Sequence, residues 1–233
     1  MQILPSLYLV NGFPYGMHQN SYLVRGKDAA VIIDSGELEE GDAFEAVKQG
    51  CLRWGIDLSS VSHMLVTHAH FDHASHAAGL KELGIKIAAG REVADAMATG
   101  DDRCIGFAVH RAFEPCKVDV IVSDGQQLEI GDLAFRCIST PGHADGHMLY
   151  ELELDGKLVW FCGDIIKIGY ECKSVELGIP AGRDFHRPTY LDTLARLIHM
   201  DVDTLCPGHG PPGIGIGKKL VEMAYFLALQ RWQ

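Results

Sequence analysis

The stretch THAHFDH, at residues 67–73, places three histidines and an aspartate within a short span, directly after the apolar run at residues 63–66. Burying so many polar side chains in one loop costs free energy unless each one finds a partner. Neutral imidazole and carboxylate groups are ligands that suit zinc and related first-row metals. The stretch therefore predicts a bound ligand at the end of a buried strand.

Three further segments repeat this arrangement. TPGHADGH at 140–147, FCGD at 161–164 and CPGHG at 206–210 each follow an apolar, strand-like run, and each places a His or an Asp on the turn after it. Nitrogen and oxygen ligands thus stand at four strand ends from far-separated parts of the chain. This pattern indicates one metal site whose ligands come from four separate segments of the chain. It requires a fold that brings the four strand ends together.

Composition bounds the class of protein. With 233 residues, 47% of them hydrophobic and 22% charged, the chain suits a single domain, 1–233, with a substantial core. Acidic residues outnumber basic ones by 31 to 20, and no basic block occurs, which argues against nucleic acid as a partner. No apolar stretch of about 18 residues is present, so we expect no membrane span.

The N-terminal sequence and the cysteines predict the compartment. The first residues lack a basic region and are interrupted by Pro5 and Pro14, so we expect a mature protein without a secretory signal. The seven cysteines are odd in number, dispersed and never in CxxC spacing. A reduced, cytoplasmic location is the simplest prediction.

Strand and helix patterns occur as two successive groups. Two β-sheets packed face to face, with helices on the outer sides, would satisfy that order. Alternating apolar and polar residues with DG and GD turns predict antiparallel strands from residue 118 onward. Two tracts, 101–117 and 165–188, are predicted to be irregular, and long loops in compact domains are usually functional.

The four segments together resemble the metallo-β-lactamase-fold superfamily of hydrolases. The family motif T-H-x-H-x-D-H is matched in full by residues 67–73, and the later His, Gly-Asp and Pro-Gly-His follow in the family's order, as does the early aspartate of IDSG. The resemblance covers almost the whole chain. It implies an α/β fold, an αββα four-layer sandwich of two mixed β-sheets with external helices, with the site on the edge where the loops of both sheets meet.

The resemblance also implies the ligands of two divalent metal ions, zinc in the first place, with Fe or Mn compatible with the same ligands. Residue by residue, one ion is held by His68, His70 and His143, the second by Asp72, His73 and His209, and Asp164 bridges the two. Two further roles are predicted for carboxylates. Asp72 can also take a proton from the attacking water, and Asp34 orients a ligand imidazole through its other nitrogen.

The Gly-Asp form of the bridging ligand resembles the hydroxyacylglutathione hydrolase (glyoxalase II) branch. The chain ends 24 residues after His209, so we expect it to lack that branch's helical C-terminal domain. We interpret the chain as a hydrolase in which a hydroxide on a dinuclear metal centre attacks an ester, thioester, lactone or amide of a small molecule. The alternatives are a mononuclear iron oxidoreductase like the persulfide dioxygenases, using His68, His143 and Asp164, a β-lactamase-like amide hydrolase, and a non-catalytic metal-binding module.

Substrate contacts are predicted from segments that can reach the open face of the site. These are the segment NGFPYGMH at 11–18, Phe71 within the motif, and the tract after Asp164, which offers Lys167, Tyr170, Arg183, Phe185 and His186. Cationic and aromatic groups in an otherwise acidic chain favour a small anionic or partly apolar substrate. The alternative is that this tract only packs the loop or contacts a second subunit of a homo-oligomer.

Overall fold

The strands and helices coincide with the apolar runs of the sequence. A computed structural model describes residues 1–12, 19–36 and 43–232. The strands are β1 (Gln2–Leu4), β2 (Leu7–Asn11), β3 (Ser21–Arg25), β4 (Ala30–Ile33), β5 (His63–Leu65), β6 (Lys86–Gly90), β7 (Val120–Val122), β8 (Gln127–Ile130), β9 (Leu133–Ser139), β10 (Met148–Leu154), β11 (Lys157–Gly163), β12 (Lys167–Ile168), β13 (Val175–Glu176), β14 (Thr204–Pro207) and β15 (Gly213–Ile214). The helices are α1 (Ala43–Arg53), α2 (Phe71–Ala74), α3 (Ala77–Glu82), α4 (Arg91–Thr99), α5 (Arg187–Leu197) and α6 (Gly217–Trp232).

Two mixed sheets contain most of these strands. In the first sheet β1 to β7 lie in sequence order; the pairs from β1 to β4 are antiparallel, and β4, β5, β6 and β7 are parallel. The second sheet has the order β15-β14-β11-β10-β9-β8, with β11 and β14 parallel and the other pairs antiparallel. The strands β12 and β13 form a separate hairpin.

The central strands are apolar on both faces because each face is covered. In β4, Val31 packs between the two sheets, whereas Ile32 packs toward the helices that follow in the first half of the chain. In β11, Phe161 packs between the sheets, whereas Trp160 lies in the cluster formed with α5 and α6. Successive side chains of a strand point to opposite faces, so a strand buried on both faces reads as a continuous apolar run.

Three hydrophobic layers therefore separate four layers of backbone. One layer lies between the N-terminal helices and the first sheet, one between the sheets, and one between the second sheet and the C-terminal helices. This arrangement confirms the predicted αββα sandwich of two mixed sheets. Among the described residues, no helix combines the length and apolar character needed to cross a bilayer.

Two details differ from the expectation. Residues 120–122 were expected in an antiparallel group, but β7 pairs with β6 in parallel, because three residues are too few to show which sheet they will join. The tract 165–188 was expected to be irregular, but it contains the hairpin of β12 and β13, whose two-residue strands are too short to give an alternating pattern. Residues 13–18 of the predicted substrate segment lie outside the described part of the chain.

The burial of the cysteines predicts their reactivity. Cys172 is partly accessible, and the other six thiols are buried. Burial raises the pKa of Cys51 and of Cys104 to about 12. Only thiolates react readily, so a thiol reagent should label one cysteine rapidly in the native protein and all seven after denaturation. The C172S variant should lose the rapid phase, and rapid labelling of a second thiol in native protein would contradict this assignment.

Candidate metal centre

The polar clusters of the sequence meet where strands of both sheets end. Asp34 follows β4, and THAHFDH begins two residues after β5. From the second sheet, Asp164 directly follows β11, and His209 lies two residues beyond β14. His143 stands on the turn between β9 and β10. Ligand side chains from separate parts of the chain thus share one edge of the sandwich.

The first group of side chains consists of His68, His70 and His143, whose ligand atoms lie within 4.8 Å of one another. All three side chains are buried. The distance from His143 Nε2 to His70 Nδ1 is 3.2 Å. The sequence assigned these three histidines to one ion, and the structure brings them together.

The second group consists of Asp72, His73 and His209, which also lie within 4.8 Å of one another. Asp72 Oδ2 is 3.0 Å from His209 Nε2 and 3.4 Å from His73 Nε2. Asp72 and His73 lie on the short helix α2, and His209 approaches from the other sheet. The sequence assigned the same three residues to the second ion.

Asp164 lies between the two groups. Its Oδ1 is 3.4 Å from His73 Nε2, and its Oδ2 is 3.5 Å from His209 Nε2 and 3.9 Å from His143 Nε2. Its carboxylate therefore faces histidines of both groups, which is the placement expected of a ligand shared by two ions. Gly163 precedes it with φ +49°, and a Cβ there would lie 2.6 Å from both Thr67 Oγ1 and His147 Nε2, so only glycine fits.

Asp34 holds the histidines of both groups from behind. Its Oδ1 accepts a hydrogen bond from Thr67 N at 2.7 Å, and its Oδ2 accepts bonds from Thr67 Oγ1 at 2.7 Å and from His73 Nδ1 at 2.9 Å. Because the threonine hydroxyl donates to Asp34, it accepts from His68 Nδ1 at 3.0 Å. The proton is thus placed on Nδ1 of His68 and of His73, which leaves the Nε2 lone pairs for a metal.

Asp34 itself has φ +54°, a left-handed backbone conformation that Asp tolerates better than most side chains. Strain of this kind persists where the surrounding structure overdetermines it, and it is common at functional sites.

Asn20 fixes the loop that carries His209. Its Nδ2 donates to the carbonyl oxygens of Pro207 at 2.9 Å and Gly210 at 2.7 Å, on either side of the histidine. Tyr22 OH also donates to the Pro207 oxygen, at 2.8 Å. These bonds tie the loop of the second sheet to β3 of the first sheet.

Opposite charges set the electrostatics of the cluster. Burial raises the pKa of Asp72, but the imidazoles of His73 and His209 outweigh it, and the net pKa is well below the ordinary value. Burial likewise lowers the pKa of His73, but Asp72 and Asp164 outweigh it, and the net pKa is well above the ordinary value. Burial, then repulsion from His73 and His70, holds the pKa of His68 well below its usual range. Unprotonated imidazole is the form that binds metal.

The unsatisfied atoms of the cluster fit a metal site. Within the described residues, three atoms facing the two groups are buried and have no hydrogen-bond acceptor or donor of their own: His68 Nε2, His73 Nε2 and Asp164 Oδ1. Buried polar atoms in proteins are otherwise almost always paired. Two of them, His68 Nε2 and His73 Nε2, belong to the rings whose Nδ1 is hydrogen-bonded to Thr67 and to Asp34. The donor set of imidazole and carboxylate suits zinc and other first-row divalent ions.

The predicted substrate residues have varied positions. Lys167 is close to the cluster, with Nζ 3.3 Å from Asp164 Oδ2. Phe71 is buried on the helix side of the first sheet and contacts the ring of Phe113. Tyr170 is 68% exposed on the β12–β13 hairpin. The exposed Arg183 lies 3.5 Å from Asp102.

His186 is exposed and caps α5, where its Nδ1 accepts from Thr189 N at 3.4 Å. Lys167 thus forms an ion pair with a predicted ligand of the cluster. The assignment of all of them to substrate stays a prediction.

Sequence reasoning missed several supporting residues. Asn20 and Tyr190 carry no motif that would distinguish them. Tyr190 OH accepts from Gly178 N at 2.9 Å, and its proton lies toward the backbone oxygens of Ile165 at 2.5 Å and Asp164 at 3.1 Å. His147 lies buried behind His68, and the centroids of the two stacked rings are 5.0 Å apart.

The spacing in TPGHADGH offered one signal for His147, four residues after His143. Burial lowers the pKa of His147 to about 3, so its ring is a neutral support for the cluster.

The fold and the cluster of histidines and aspartates are those of a metallohydrolase. The family model of the metallo-beta-lactamase superfamily matches residues 14–209. The chain belongs to this superfamily, which confirms the resemblance found in its motifs.

Individual relatives agree with this family. An uncharacterized protein of Aquifex aeolicus is 32% identical over 139 residues, or 59% of each chain. A hydroxyacylglutathione hydrolase of Pseudomonas paraeruginosa is 31% identical over 173 residues, which are 74% of this chain and 53% of that protein. The chain thus spans little more than half the length of these relatives. The structure of a subclass B3 metallo-beta-lactamase of Bradyrhizobium japonicum covers 99% of this chain and 90% of its own, with a TM-score of 0.76 and 21% identity, and this likeness shows the shared fold.

Proposed function

We propose that the chain is a hydrolase that uses two divalent ions to cleave an ester, thioester, lactone or amide of a small molecule. The observation that supports this proposal is the pair of ligand groups, His68 with His70 and His143, and Asp72 with His73 and His209. The similarity to a hydroxyacylglutathione hydrolase favours a thioester as the first substrate to test. Zinc is the proposed metal.

The residues of the chain would divide the work as follows. Two bound divalent ions would polarise a carbonyl oxygen and lower the pKa of a water molecule toward neutrality. Asp72, whose carboxylate lies at the second group, accepts the proton of the attacking water. Asp164 faces both groups and supplies negative charge between two cations. Lys167, 3.3 Å from Asp164, is placed to pair with an anionic part of the substrate.

The test of this proposal combines metal analysis with a substrate panel. Purified protein supplemented with zinc should contain two equivalents of metal per chain and should hydrolyse at least one member of a panel of thioesters, lactones, esters and β-lactams. Removal of the metal with a chelator should abolish turnover, and zinc should restore it. A stable single iron with oxygen consumption would overturn the proposal in favour of the dioxygenase, and protein that binds no metal would overturn it outright.

Lys167 and Arg183 provide a prediction about substrate binding. If Lys167 pairs with an anionic group, K167M should raise KM for the best anionic substrate by about tenfold, because an ion pair with a partly buried cation is lost. The metal content should stay at two equivalents. Steady-state kinetics of K167M and R183M on matched anionic and neutral substrates would measure the effect, and the same KM as wild type in both variants would assign the tract to packing.

A further inference from the structure

Two unpartnered atoms meet beside the first ligand group. His70 Nε2 is buried and has no hydrogen-bond partner within the described part of the chain, and the same is true of Asp184 Oδ1. Both border the space that Gly182 leaves by having no side chain. A Cβ at 182 would collide with Asp184 Oδ1 and would lie 3.7 Å from His70 Nε2. An imidazole nitrogen and a carboxylate oxygen, each lacking a partner, thus face one small gap.

The segment that carries Asp184 is held in place around the first ligand group. Asp145 N donates to Asp184 Oδ2 at 2.8 Å, so one oxygen of the carboxylate is fixed and the other is left toward the gap. His186 N donates to Gly142 O at 2.8 Å, next to His143. At the other end of the segment, Gly178 N donates to Tyr190 OH at 2.9 Å. The segment is therefore anchored at both ends, and one oxygen of the Asp184 carboxylate is fixed within it.

The chemistry of the ligand nitrogen determines what this carboxylate can do. His70 Nδ1 is the atom that faces His143 Nε2 in the first ligand group, at 3.2 Å. If Nδ1 is to bind a metal, it must carry a free lone pair, so the proton of the neutral ring must stand on Nε2. A ligand histidine normally donates that proton to a carboxylate, a carbonyl or a water. Asp34 and Thr67 do this for His73 and His68, but not for His70.

We propose that Asp184 is the positioning residue of His70. Its Oδ1 accepts a hydrogen bond from His70 Nε2–H, directly or through one water in the gap beside Gly182, and this bond holds Nδ1 ready for the metal. This inference rests on the proposed function, because it needs His70 to be a metal ligand. It also gives Gly182 a role, since any side chain there would displace the carboxylate. Part of the tract 165–188, predicted to contact substrate, is thereby assigned to the support of a ligand.

The first experiment measures zinc affinity by competition with a chelator in D184A, D184N and wild type. D184A should lose about 10- to 100-fold in affinity for one of two zinc equivalents, as expected for loss of an outer partner of a ligand. D184N keeps one acceptor oxygen, but its amide nitrogen must face either Asp145 N–H or His70 Nε2–H, so its affinity should fall between those of wild type and D184A. D145A is the matched control, because it removes a neighbouring exposed carboxylate and keeps the backbone N–H that holds Asp184.

The second experiment reads the proton directly. In the long-range 1H–15N spectrum of the zinc-loaded protein, His70 should show a protonated Nε2 that exchanges slowly in wild type and rapidly in D184A. A residue that only shaped the loop would not alter this signal. G182A should reproduce the loss of affinity, and G182A combined with D184A should lose no more than D184A alone, since both changes break one contact.

The outcomes separate this inference from the proposed function. Wild-type protein that binds no zinc overturns the proposed function itself. Wild-type zinc affinity and a slowly exchanging His70 Nε2 proton in D184A overturn only the role of Asp184. If D184A does not fold, G182A and D184N provide the same comparison, and wild-type affinity in G182A then contradicts the inference.

Discussion

Replacement of Asp164 by alanine is expected to remove one of two metal equivalents and nearly all turnover. The carboxylate faces histidines of both ligand groups, at 3.9 Å from His143 Nε2 of the first group and 3.4 Å from His73 Nε2 of the second. Two divalent cations held close together repel each other unless anions lie between them. The loss of affinity for the second equivalent should exceed the roughly 10- to 100-fold that removal of an outer partner costs. Metal analysis and steady-state kinetics would measure both effects.

The conservative variant D164N is the control for size. It keeps the shape of the side chain and removes the charge, so it should resemble D164A in metal content if charge between the ions is what matters. Both variants should retain the fold, which circular dichroism would show. Two equivalents of bound zinc and wild-type turnover in D164A would refute the role of a shared ligand for Asp164.

The second large effect is expected at Asp34. D34N should weaken the binding of both metals, because Asp34 accepts the Nδ1 proton of His73 directly and that of His68 through Thr67 Oγ1. Asparagine tolerates the positive φ of +54°, so the backbone conformation is preserved and only the charged acceptor is lost. We expect a fall of about 10- to 100-fold in affinity for each equivalent. Isothermal titration with zinc would resolve the two steps.

The variant T67V separates the two branches of this network. It removes the hydroxyl between Asp34 and His68. The bonds that Thr67 N and His73 Nδ1 donate to Asp34 stay in place. T67V should therefore weaken mainly the metal of the first group, whereas D34N should weaken both. Equal effects of T67V on the two equivalents would show that the branches are not independent.

The ligands were predictable because a short motif determines where its side chains lie. In THAHFDH the end of β5 and the turn of α2 fix the directions of His68, His70, Asp72 and His73 within seven residues. His143, Asp164 and His209 were predictable because each follows an apolar run at a turn. The family motif supplied the pairing of these segments, since spacing along the chain does not show which strand ends meet in space.

The supporting residues could not be predicted, because they act across long sequence separations. Asn20 holds the loop of His209 from 187 residues away, as measured to Pro207. An asparagine between two strands carries no sequence signal for such a contact. Phe71 shows the opposite case: its place in the motif suggested the open face of the site, whereas the period of a helix turns its ring into the core beneath Arg111. Side-chain direction within a single helical turn depends on packing that a motif does not record.

The origin of the ligands has a consequence for the stability of the whole sandwich. THAHFDH follows a strand of the first sheet, whereas Asp164 and His209 follow strands of the second, so a bound ion would link the two halves in addition to the apolar packing and hydrogen bonds between them. Each ion would act as a noncovalent cross-link between the halves. The unfolded chain would bind the ion poorly, because its ligands are far apart. By mass action, free metal at about 100 times its Kd adds about 2.7 kcal/mol to the free energy of unfolding for each site. The melting temperature of the protein should therefore rise with free zinc concentration.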